Sequence, residues 1–140
     1  MKKVLLIIFL LLFTFVCCYV INNNILGQTK NAIININEST KFENKEIQKA
    51  ISTVKHHFKA FYGCNMTDLW YNEEDAENAI EGYYNIFYTN YSDIIVLYSN
   101  FQTSKYCPEG LNRDFYYRKY MWILSRNNKS SKWRIVSAGY

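Results

Sequence analysis

The chain has 140 residues, enough for one folded domain with a modest core and too few for two. Nearly half of the residues are hydrophobic and 18% are aromatic, with only five glycines and one proline, which excludes a loop-dominated or disordered protein. Most of the net charge of +4 sits at the start: Lys2, Lys3, Lys30 and Lys41 face a single acid, Glu38, and the remaining 12 basic and 11 acidic residues nearly cancel. A nucleic-acid binder carries a dense basic footprint, and none is visible, so nucleic acid is excluded as a partner.

The charges are nevertheless segregated. No Lys or Arg lies between Lys59 and Lys105, where Asp68, Glu73, Glu74, Asp75, Glu77, Glu81 and Asp93 fall; basic residues dominate afterwards. Ordinary surface pairing accounts for this pattern. The sharper reading is two faces of opposite sign, one of which meets a partner.

Residues 1–3, Met-Lys-Lys, precede an apolar run over 4–21. Eighteen residues at helical rise just cross a hydrocarbon core, and the lysines favour a cytoplasmic start. A cleaved signal peptide wants small residues before the cut, and a lipoprotein wants one before its cysteine. The run ends Phe15-Val16-Cys17-Cys18-Tyr19-Val20-Ile21, which suits neither. An uncleaved signal anchor is therefore expected, with secretion or lipid anchoring as alternatives, and each places the domain outside the cytoplasm. Residues 22–41 read as a polar, Asn-rich linker, with a short strand over 32–36.

The domain proper is read as 42–140. Ile47, Ile51, Val54, Phe58 and Phe61 form one apolar stripe of a helix, with Asn44 as N-cap and Gly63 at its end. His56 and His57 lie off that stripe and point about 100° apart, so they read as solvated residues and not as metal ligands. In 64–71, Met66, Asp68 and Trp70 alternate with Thr67, Leu69 and Tyr71, as in a strand. Asn72 caps a second helix with Glu73, Glu74 and Asp75 in its first turn, and Ala76, Ala79, Ile80, Tyr83, Tyr84 and Phe87 form its apolar side to about 88–90.

Three strands follow: 94–101 in the centre, 115–126 after a long loop, and 133–140 after a turn at 127–131. In the second of them Tyr120, Trp122 and Leu124 share a face. The order implies an α+β fold, two helices on one face of a curved antiparallel sheet, preceded by a membrane helix.

The run Ile47-Gln48-Lys49-Ala50, Val54-Lys55, Phe58, Gly63-Cys64, Thr67, Leu69-Trp70-Tyr71 and Glu74 resembles the bacterial family called domain of unknown function 4829. So do Ile95 through Phe101, Trp122 through Arg126, Lys132-Trp133 and Gly139-Tyr140. The resemblance covers about 45–140 and none of the anchor. It implies a cone of the cystatin-like or nuclear-transport-factor-two-like type and brings no activity or functional residues. Cys107, in the loop over 103–113, departs from the family pattern.

No phosphate-binding, zinc-protease, nucleophile-elbow or CxxC motif occurs. Two-carboxylate chemistry would fall to Asp68 and Glu74 near Tyr71, although acids at a helix start are more often caps. Cys64 has three readings: a buried thiol, a disulfide with Cys107, or a reactive thiol, the last disfavoured because it follows a helix C-terminus. The many aromatics serve a core or line a concavity. No cofactor is expected. The expected function is a membrane-anchored module binding a protein, peptide or small molecule without catalysis. The alternatives are an enzyme using Asp68, Tyr71, Glu74 or Cys64, and an oligomerising scaffold working as a homodimer.

Overall fold

The structure, a computed structural model, describes residues 2–24, 26–82 and 93–140, and in the first helix the side chains of 4–20. Among the described residues there are three helices and five strands: α1 (Lys2–Asn24), β1 (Ile33–Ile36), α2 (Asn44–Phe58), β2 (Cys64–Tyr71), α3 (Glu73–Gly82), β3 (Asp93–Thr103), β4 (Tyr116–Arg126) and β5 (Arg134–Gly139). The class is α+β, with one sheet in the order β1-β2-β3-β4-β5. The expected continuation of the second helix, with Tyr83, Tyr84 and Phe87, lies outside the described residues.

Helix α2 forms as its stripe dictates. Ile47, Ala50, Ile51, Val54 and Phe58 are buried, and α2 packs across β2, β3 and β5. The cap is Glu43, one residue before the expected Asn44. Glu46 stands three residues on, and its carboxylate accepts the backbone N–H of Glu43 at 3.0 Å. The core is largely aromatic. Trp122 lies 5.3 Å from Phe61 and 6.2 Å from Phe58, and Phe101 lies 4.8 Å from Tyr117 and 5.1 Å from Tyr120. The buried indole N–H of Trp122 is satisfied by the Ser99 hydroxyl at 2.8 Å. Most of the described aromatics beyond α1 are thus spent filling the core, while Tyr62, Tyr106, Phe115 and Tyr140 remain exposed there.

The sheet is mixed, not wholly antiparallel. β1 runs parallel to β2, Ile33 opposite Asp68 through Ile36 opposite Tyr71, and the other three pairings are antiparallel. A parallel neighbour needs a crossover, and α2 supplies it. The stretch read as a linker is therefore bound along the domain. Gly27 N–H donates to the Lys59 carbonyl at 3.1 Å, Gln28 N–H to that of Cys64 at 2.9 Å, and Met66 N–H to that of Gln28 at 2.8 Å. Any Cβ at Gly27 would fall 1.9 Å from the Phe58 carbonyl oxygen, so only glycine fits this approach.

One bend crosses the sheet. Register slips between Met66 and Asp68 in β2 and between Ser99 and Phe101 in β3, so Thr67 is an extra residue and Asn100 faces the Arg118–Lys119 step. Lys119 takes a left-handed φ of 56°, and its N–H donates to the Asn100 side-chain oxygen at 2.9 Å. The bulge reverses the alternation of β2: Cys64 and Met66 are buried before it, and Leu69 and Tyr71 after it. The regular period expected from the sequence put Met66 with Asp68 and Trp70, and the extra residue breaks that phase.

Helix α3 packs on β3, beside the first residues of that strand, where β2 has ended. Tyr98 donates its hydroxyl to the Asp75 carbonyl at 3.0 Å.

Arg126 closes β4 and is buried, its side chain only 2% exposed. Its Nη2 reaches Glu46 at 2.5 Å and its Nε reaches Asp93 at 2.7 Å. Its guanidinium carbon lies 4.4 Å from the Trp133 ring centre. Removing one partner of a buried pair strands the others. Arg126→Ala is expected to lower stability by about 3–5 kcal/mol, read as a fall in the urea midpoint, while Lys105→Ala on an exposed loop leaves it within about 0.5 kcal/mol.

Candidate functional site

One concavity sits where β2 hands over to α3. It is a cleft of about 280 Å³ with an apolar floor of Phe42, Ala76, Ile80, Ile94 and Ile95 and a rim of Lys41, Glu73, Glu77 and Asp93, with Tyr71 between. The sequence builds it locally. Asn72 caps α3 by accepting the Asp75 N–H at 3.0 Å, which turns the chain sharply and sets Glu73 against the segment before α2.

Glu73 is the busiest acceptor there. It receives the Ser39 hydroxyl, the Thr40 hydroxyl at 2.6 Å and the Thr40 N–H at 3.0 and 3.2 Å to its two oxygens. Those bonds favour the ionised form, the Ser39 hydroxyl first and Thr40 next, and hold its carboxyl at about 2. Tyr71 is buried, donates to Glu73 at 3.3 Å and lies 3.4 Å from the Ser39 hydroxyl. Burial pushes its phenol up. Lys41 pairs with Glu77 at 2.6 Å. The polar groups of the cleft therefore hold one another and fasten residues 39–41 to α3.

The four residues singled out from the sequence do not form one site. Cys64 opens β2 and Tyr71 closes it, roughly 20 Å apart along a strand. Asp68 lies between them and accepts the Thr67 hydroxyl at 2.7 Å and the Asn100 amide at 3.1 Å. That pairing orients Asn100 toward Lys119, so Asp68 serves the bend of the sheet. Glu74 is exposed. Glu73, next to it, is the acid that engages Tyr71. The sequence marked Glu73 only as a first-turn acid, because its partners lie in the stretch read as a linker; Ser39-Thr40 just before a helix was the available signal.

Cys64 and Cys107 are both free thiols. Cys64 is buried with its thiol 3.6 Å from the Tyr62 carbonyl, and burial, then the nearby Cys107, pushes it up to about 12. Cys107 is half-buried, 3.6 Å from the carbonyls of Leu111 and Asn112. His56 and His57 are exposed, and the His57 ring leans on Trp122 at 6.0 Å.

A second, wider concavity of about 730 Å³ runs between the first turns of α2 and the β4–β5 turn. Lys45 and Lys49 line one side, Lys129 and Lys132 the other, with Trp133 and Arg126 beneath. Its members come from distant parts of the sequence, so no local motif announces it.

No protein-family model, curated protein or solved structure matches the chain.

Two outcomes test this description. Glu73 has a folded value below its ordinary 4.5, so its contribution is present above about pH 4.5 and lost as pH falls through about 2. The gap in urea midpoint between wild type and Glu73→Gln is expected to be full at pH 6 and to close by pH 2; a gap independent of pH would show the clamp to be wrong. Alkylation at pH 8 with peptide mapping should modify Cys107 and leave Cys64 untouched until urea unfolds the chain. Modification of Cys64 at the rate of Cys107 would refute its burial.

Proposed function

We propose that the chain is a non-catalytic binding module held at the outer face of a membrane by its N-terminal helix. The observation that carries this is α1. Its large apolar side chains between Val4 and Val20 are 46–73% exposed on every side of the helix. An all-round apolar helix left open to solvent wants an apolar medium. Among the described residues no helix is long and apolar enough to cross a membrane. The described side chains of α1 end at Val20, and the sequence adds one more apolar residue, Ile21. In this proposal the run over 4–21 enters the bilayer, with Lys2 and Lys3 left on the cytoplasmic side.

The folded part supports a binding role. Of the candidate polar residues, Asp68 and Tyr71 are engaged, with Glu73, in holding the sheet and the segment before α2, Cys64 is buried and Glu74 is exposed, and the two concavities lie open between elements. The cone architecture of the cystatin-like or nuclear-transport-factor-two-like type belongs to the same proposal, supported by the aligned bulges and by α2 lying across the sheet.

Expression of the full chain in a bacterium tests it. The chain is expected in the membrane fraction, resistant to alkaline carbonate, with its domain cut by protease added to spheroplasts. Replacing Leu10 and Leu11 by Arg should release it from the bilayer. Recovery of the unaltered chain in the soluble fraction, or protection of the domain from external protease, would overturn the reading.

A further inference from the structure

The groove between α2 and the β4–β5 turn has an unbalanced charge. Lys45 and Lys49 stand one helical turn apart on α2, and Lys129 and Lys132 face them from the turn. None of the four makes an ion pair with a described carboxylate. Arg126 beneath the groove is itself bound to two acids, Glu46 and Asp93. With those two carboxylates and Arg126 counted, the groove keeps a net charge of about +3. The turn that presents two of the lysines is preset. The Asn128 side-chain oxygen accepts the N–H groups of Ser130 at 3.1 Å and Ser131 at 3.0 Å, and both their hydroxyls.

We infer that this groove binds a chain of phosphate groups, resting on the reading of the domain as a binding module and naming its ligand class. Four ammonium groups of one sign, none in an ion pair with a described carboxylate and set around a shared concavity, repel one another until an anion of several charges bridges them. The type of cation selects the anion. Planar carboxylates are best held by the fork of an arginine, and the one arginine here has its Nε and Nη2 spent on Glu46 and Asp93. Lysines act as point charges and suit the tetrahedral phosphate, which accepts from several directions. The volume of about 730 Å³ has room for more than one phosphate. The floor discriminates further. Trp133 is only 5% exposed and its ring is covered by Arg126, so no aromatic face is open for a base to stack on. The ligand is accordingly a phosphate chain without bases, either a soluble or polymeric phosphate or an array of lipid headgroups.

The test uses the full chain in zwitterionic detergent micelles, with long-chain inorganic polyphosphate as probe and binding read by anisotropy. Polyphosphate is expected to bind, more weakly as salt rises. The double variant Lys49→Gln with Lys132→Gln, with an unchanged melting curve, should bind at least tenfold more weakly. Lys55→Gln with Lys105→Gln, matched in charge and outside the groove, should bind as wild type does. Adding phosphatidylglycerol to the micelles separates the sources. If it competes with polyphosphate in wild type, the ligand is a headgroup array; if it does not, the ligand is a soluble or polymeric phosphate, and both outcomes uphold the groove. Absence of polyphosphate binding, equal loss in both double variants, or equally tight binding of polyglutamate or oligothymidylate would overturn the inference. Because the micelle assay does not depend on where the chain sits in a cell, its failure leaves the membrane-tether reading standing, and a soluble chain that still binds polyphosphate would sink only the tether.

Discussion

The buried guanidinium of Arg126 is the constraint on which the rest of the domain is hung. Moving a cation out of water costs several kcal/mol, and only partners with good geometry offset it. Its partners come from different elements: Glu46 from the first turn of α2, Asp93 from the start of β3, and the Trp133 ring from the approach to β5. Glu46 also starts its own helix by accepting the Glu43 N–H, and its carbonyl receives the Trp133 indole at 3.1 Å. The hydrogen bond from Arg126, then that from the Glu43 backbone, holds the Glu46 carboxyl below its ordinary range. A helix start, two strand ends and a turn are thereby fixed at one point, and a shift of any of them exposes an unpaired charge to a dry environment.

A second chain of polar groups shapes the sheet. Asp68 accepts the Asn100 amide, and the Asn100 oxygen accepts the Lys119 N–H, which stands at a left-handed residue of β4. A non-glycine residue at that φ is mildly strained and persists where its surroundings over-determine it. Lys119 is held from its other end as well, since its ammonium reaches Asp75 at 2.9 Å and lies 5.6 Å from the Tyr98 ring centre. The bulges of β2 and β4 meet at Asn100 of β3 because these three residues are joined, and the sheet bends along that line.

Much of this was legible in the sequence, and the exceptions have physical causes. The α2 stripe and the apolar strands β3 and β4 were plain because burial imposes a period on the residues themselves. The phase of β2 was not, because a bulge inserts one residue and reverses every side chain after it. The parallel pairing of β1 was not, because four residues in a polar stretch carry no sign of their partner. Arg126 closes an apolar strand, where a charged residue ordinarily marks the return to solvent; only the fold brings Glu46 and Asp93 to it. Glu73 could be read as a helix-start acid, but its grip on Ser39 and Thr40 spans more than thirty residues.

The near-neutral charge of the domain conceals its asymmetry. Acids outnumber cations at the α3 end, and several of them pair with cations brought from elsewhere: Glu77 with Lys41, Asp75 with Lys119, and Asp93 with Arg126, which also holds Glu46. Glu73 and Asp68 are satisfied by hydroxyls and amides instead. Every one of these acids is committed to holding a helix, a turn or a bulge in place. The lysines of the α2 groove have no such employment, so the balance that appears along the sequence is lost on the surface. Folding has committed these carboxylates to structure, and it gathers four lysines, none in an ion pair with a described carboxylate, around one concavity.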